Sequence, residues 1–180
     1  ADDVVTQREL AAFAADVVPG SEFTALAFAE PVPDADRTTW EAVVGTPIVD
    51  SDGAGGFVPS SERSEHVVVR YVAPATATSS RVVGLDFNGD PVRTRAVAEA
   101  RGSTDPVVVG PSPLASSGTL GLFVINAVRA GDGEVVGYVA GGVSVDTALQ
   151  SGLEVDEIEE IGLAIDGETT LMTGEMKPTE

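Results

Sequence analysis

The sequence predicts an α+β domain with one mostly antiparallel sheet flanked by helices. Three observations carry the prediction. A capped, helically spaced segment opens the chain. Helices then alternate with short apolar strands as far as residue 109. After that the strands come as hairpins: Leu120 to Val128 and Glu134 to Val145 are joined through Arg129-Ala130-Gly131-Asp132-Gly133, a turn composition that returns a chain antiparallel to itself.

Taken in order, Thr6-Gln7-Arg8-Glu9 is a capping box, and Leu10, Phe13, Ala14 and Val17 follow it at helical spacing. Pro19-Gly20 ends that helix. Phe23 to Ala29 is short, apolar and bounded by turn residues, which predicts a buried strand. Asp36 to Val44 reads as a short helix capped by Asp34 or Asp36. Residues 50–65 are polar and glycine-rich, hence a surface loop. His66 to Val72 is dense in β-branched and aromatic residues and reads as a strand. Asp90-Pro91 supplies a cap and a first-turn proline to a helix whose apolar side is Val92, Ala96, Val97 and Ala100, ending near Gly102. Pro106 to Val109 is a strand stopped by Gly110-Pro111. A second hairpin pairs Ile161 to Ile165 with Thr169 to Thr173 about Asp166-Gly167, and the acidic run Glu154 to Glu160 before it reads as a solvated connection or helix face.

Composition narrows the function classes. The chain has 180 residues and ten basic against twenty-nine acidic side chains, a net charge of −19. Such a surface repels phosphate backbones and anionic head groups, so no nucleic-acid or peripheral membrane partner is expected. Abundant carboxylates with a single lysine, Lys177, suggest salt adaptation; a GC-rich genome gives a similar composition. No apolar run approaches the ~20 residues of a membrane span, and no signal-peptide pattern opens the chain. Either the protein is soluble throughout or this is a fragment cut free of its membrane anchors. Without cysteine there is no disulfide, thiolate nucleophile or cysteine-ligated metal centre.

No catalytic constellation is expected. His66 is the sole histidine and opens a predicted strand, where an edge or surface position is its ordinary place. Gly142-Val143-Ser144-Val145-Asp146 lacks the closing glycine of a nucleophile elbow. Asp86-Phe87-Asn88-Gly89-Asp90 begins like a calcium loop but has Pro91 and Val97 where glycine and glutamate are required, so no metal site is expected, and no cofactor. Gly137, Gly141 and Gly142 in one strand mark either close backbone approach or the floor of a cavity. Asp86 follows Val82-Val83-Gly84-Leu85 at the edge of an apolar segment. A half-buried carboxylate there either caps the next turn or accepts from a ligand N–H.

Several stretches, in order, resemble the CHASE domain family. Arg81 to Ala96 followed by Ala100-Arg101 is similar to that family's Gly-x-Asp element, its Pro-x-Arg-Arg turn and the helix ending Ala-Arg. Val107 to Pro111 with Leu114 is similar to its next strand. Gly121 to Val128, Val136 to Val143, Asp146 and Leu149 continue the likeness, and Val18-Pro19-Gly20, Ala25 to Pro33, Arg37 and Trp40-Glu41 supply it upstream. Thr94 stands where a second arginine is usual, and residues 151–180 match only loosely. The resemblance implies an extracytoplasmic sensor of a transmembrane histidine kinase or cyclase, not an enzyme. It implies a stalk helix over 1–18, a membrane-distal PAS-like ligand-binding module over 19–149, and part of a smaller membrane-proximal β module over 150–180. It also implies a small-molecule ligand and a homodimer formed through the N-terminal helix. In plant cytokinin receptors of the family an aspartate holds an adenine-type ring, which corresponds to Asp86, and a backbone contact corresponds to Val108. With Gly110, Phe123, Tyr138 and Gly141 on the neighbouring strands, these are the candidate ligand residues. A secreted or surface-anchored binding module without signalling output is the competing expectation.

Overall fold

The computed structural model describes residues 5–152, 160–165 and 168–173, with side chains described as far as residue 149. The first helix, α1 (Gln7–Val17), begins with the expected capping box: the Thr6 hydroxyl accepts from Glu9 N and the Glu9 carboxylate accepts from Thr6 N. Leu10 and Ala14, one turn apart, are its buried stripe. A 3-10 turn at Val18–Gly20 ends it at Pro19.

Strand β1 (Leu26–Pro33) starts later than the apolar run suggested and extends through two prolines. It pairs with β7 (Val135–Ser144) only over Leu26 to Ala29, but with β4 (Glu65–Ala73) over its whole length. Pro31 and Pro33 therefore lie beyond the end of the β7 ladder, where no N–H is required on that side. Helix α2 (Arg37–Val44) follows at the expected place. Asp36 occupies the cap position without a side-chain cap bond, and Asp34 reaches His66 instead.

The expected loop over residues 50–65 contains a small hairpin, β2 (Val49–Ser51) with β3 (Phe57–Pro59). Two 3-10 turns, Ser79–Val82 and Phe87–Gly89, lead into α3 (Pro91–Gly102), capped by the Asp90 carboxylate on Arg93 N as expected. Strand β5 (Val107–Pro113) does not stop at Gly110; it bulges there and resumes pairing at Ser112. Gly110 has φ +129°, and a Cβ on it would lie 2.8 Å from the Gly121 carbonyl oxygen, so glycine lets the strand bend and continue. β6 (Leu120–Arg129) and β7 form the expected hairpin. The run expected to be strand as far as Val145 turns instead into α4 (Val145–Gly152), capped by the Ser144 hydroxyl on Thr147 N at 3.0 Å. β8 (Glu160–Ile165) pairs with β9 (Glu168–Thr173) as expected; the turn residues Asp166 and Gly167 and most of the acidic run lie outside the described residues.

Among the described residues the main sheet has five antiparallel strands in the order β4-β1-β7-β6-β5, with β2–β3 and β8–β9 as separate pairs. This is the α+β, PAS-like arrangement. One face of the sheet carries α1 through Leu10, Ala14, Leu26 and Phe28. The other face packs Val69, Ile125, Tyr138 and Ala140 against Leu85, Phe87 and the Ala96, Val97 and Ala100 side of α3. Trp40 of α2 seals a third cluster with Val32, Ile48 and Val68.

Candidate ligand pocket

The face of the sheet opposite α1 is not completely filled. Between it and the segment carrying both 3-10 turns is a cavity of about 320 Å3. Val69, Val72, Phe123, Ala140 and Gly142 of the sheet form one wall, and Val82, Leu85 and Phe87 form the other. The loop after β5, Leu114 to Ser117, closes one side. A Cβ on Gly142 would lie 2.8 Å from Leu114 Cδ2, so the bare backbone lets Leu114 sit on the strand. Gly141 borders the cavity with its backbone; its side-chain position points to the α1 face, where the Phe23 ring takes it, Cδ1 lying 2.5 Å from a built Cβ. Thr24, Thr78, Ser79, Ser116, Ser117, Thr119, Ser144 and Thr147 are the uncharged polar residues of the lining.

One basic side chain lines this cavity. Arg93, at the first turn of α3, is only 4% exposed. It falls on the same stripe as Ala96, Val97 and Ala100, so the helix carries a cation on its buried face. One Nη donates to Pro113 O at 2.9 Å, the other lies 3.7 Å from Asp90 Oδ2, and the guanidinium stands 5.9 Å from the Phe123 ring centre. Burial pulls the Arg93 guanidinium below the ordinary arginine value, with the Asp90 charge opposing it.

A second polar group is built behind the cavity wall. Asp86 is fully buried, and four protein groups use its carboxylate. Oδ1 accepts from Val67 N and Asn88 N, both at 2.9 Å; Oδ2 takes His66 Nδ1 at 2.6 Å and an Arg63 Nη. The Asn88 bond makes Asp86 the cap of the Phe87–Gly89 turn. Arg63 also forks onto Asp50 at 3.0 and 2.8 Å, and His66 Nε2 reaches Asp34 Oδ1 at 3.0 Å. His66 is thus wholly buried, although it holds one of the expected positions, on an edge strand. The segment after the first 3-10 turn covers that edge, with Val68 bridging Asp86 and Val69 N donating to Leu85 O. Burial works against ionisation of Asp50, and the Arg63 guanidinium with bonds from Ser60 and Ser61 more than offsets it, so its carboxyl lies below the usual range. Arg63 is raised in turn, first by its bonds to Asp50.

The candidate residues therefore separate. Phe123 and Gly141 line the cavity. Asp86 is not among the lining residues, and its oxygens face protein donors. Tyr138 is fully buried in the core beside the cavity, its hydroxyl accepting from Arg101 Nε at 3.0 Å. Val108 is half exposed on β5 and Gly110 forms the bulge, both away from the lining. Sequence reasoning missed Arg93 as a pocket residue, although its spacing from Ala96, Val97 and Ala100 was the signal. It also missed Arg63, whose partners lie 13 and 23 residues away and leave no local pattern.

An antiparallel sheet backed by α1, with a cavity on its other face, is the PAS-like arrangement with room for a small ligand. The chain matches the family described as CHASE domain over residues 3–175 and belongs to that family. CHASE domains are extracytoplasmic sensor domains of signalling receptors. No curated protein matches the chain significantly. Among the described residues, no helix is long and apolar enough to cross a membrane.

Proposed function

We propose that this chain is the ligand-binding input of a transmembrane receptor, a sensor histidine kinase, and that it takes a small molecule into the cavity between the sheet and the 3-10 turns. The cavity carries the reading: about 320 Å3 is within the range of small-ligand sites, and the lining combines apolar walls with a few polar groups. Phe123 and Gly141 contact the ligand in this reading, and Asp86 stiffens the wall behind Leu85 and Phe87. Residues 19–149 form the ligand module, 1–18 a stalk that pairs with a second copy, and 150–180 part of the membrane-proximal module. Half-exposed Phe13 on α1 supports the pairing. To signal, the ligand must bind one arrangement of the domain more tightly than the other.

A thermal-shift screen of organic acids, amino acids, adenine derivatives and short peptides tests the reading. A ligand raises the melting temperature in a concentration-dependent way. Ala140→Leu, which projects a larger side chain into the cavity, should abolish that rise and the ligand response of receptor autophosphorylation. A ligand whose effect survives Ala140→Leu binds elsewhere and overturns the assignment of the cavity.

A further inference from the structure

We infer that the ligand of this cavity carries a carboxylate, and that Arg93 is the residue that receives it. The inference rests on the cavity reading above and specifies its chemistry. Arg93 is only 4% exposed, yet one short hydrogen bond, to Pro113 O, is all its guanidinium makes with described residues. Its loose pair with Asp90, at 3.7 Å, leaves Nε and one Nη without a hydrogen bond. A guanidinium presents five N–H donors in a planar fork, and a buried cation this sparsely matched is expensive unless something completes it. The contrast with Arg63 is direct, because that guanidinium forks onto Asp50 and also reaches Asp86.

The surroundings select the kind of anion. Phe123 stands beside the guanidinium, and Leu85, Phe87 and Leu114 make the adjoining wall apolar, so the ligand has an apolar body next to its charge. Among the charged residues lining the cavity there is one cation, Arg93, and one acid, Glu22, which is exposed and screened by solvent. A single guanidinium matches one carboxylate in charge and in two-pronged geometry. A phosphate dianion would need further cations, which a chain of net charge −19 does not place there. Burial lowers the Arg93 pKa, and the Asp90 charge is what opposes that shift.

The test uses the purified 180-residue chain and matched pairs of probes: benzoate with benzamide, 3-phenylpropionate with its amide, hexanoate with hexanamide, and adenine as a neutral heterocycle. Binding is read by 15N shift changes at Ala115, Phe123 and Gly142. We expect the carboxylates to bind at least ten-fold more tightly than their amides. Arg93→Gln should remove that preference, and Arg93→Lys should keep part of it. The melting temperature of ligand-free Arg93→Gln should match or exceed the parent value, which separates lost binding from lost folding. A carboxylate preference that survives Arg93→Gln overturns the inference, and so does a panel in which no carboxylate perturbs the cavity. Adenine or an amide binding there in place of the acids overturns the carboxylate while leaving the cavity as the ligand site.

Discussion

Asp86 accepts from two backbone amides, a histidine and an arginine, so removing its carboxylate strands buried donors. Asp86→Ala should therefore cost about 3–5 kcal/mol of stability, the range for breaking a buried ion pair by deleting one partner. Chemical denaturation measures it; a variant as stable as the parent would leave Asp86 without its structural role. Asp50 sets an acid limit. Its folded carboxyl lies below the usual range, so its contribution is fully present above the unfolded value of about 3.9 and is lost as pH falls through the depressed folded value. Melting temperature should change little from this group between about pH 7 and 5 and fall below about pH 4. Asp50→Asn should flatten part of that fall. From the sequence, Asp86 could be placed at the edge of an apolar run and weighed as a cap; its role as cap of the next turn is the structure's finding. The other donors come from residues 63, 66 and 67, brought alongside by strand pairing, and no local pattern encodes that.

At the scale of elements, the chain's own local chemistry did most of the work. The Thr6–Glu9 box, the Asp90-Pro91 helix start and the β6–β7 hairpin are all short-range devices and fall where their residues predict. Thr6→Ala removes the first of them and should lower stability by about 0.5–2 kcal/mol, read by denaturant unfolding. A smaller loss would mean that α1 is held by Leu10 and Ala14 on the sheet rather than by its cap. The elements that were misjudged share a cause. β1 continues through Pro31 and Pro33 because its pairing with β7 has stopped and β4 alone carries it on, and β5 continues past Gly110 because Gly121 lies close enough to admit only glycine. The β2–β3 pair is anchored by Asp50, which Arg63 recruits. In each case a neighbouring element overrides a local signal.

For the whole molecule, the charge of −19 is the dominant long-range quantity. Salt shortens the reach of its self-repulsion from about 10 Å at 0.1 M to about 3 Å at 1 M. The melting temperature should therefore rise with NaCl and with KCl alike across that interval, and scanning calorimetry checks it. A fall would show that ion pairs such as Arg63–Asp50 and Arg70–Glu30 outweigh the repulsion. The sequence by itself determined the class of fold, the family and the absence of any cysteine chemistry, because these depend on local spacing, ordered motifs and composition. The tertiary structure decided where the cavity lies, that Phe123 and Gly141 line it, and that Asp86 and His66 are spent on each other behind its wall. It also decided that Arg93 is the cation lining the cavity. A side chain's partners are set by strands distant in sequence meeting in one sheet, and only the folded chain contains that information.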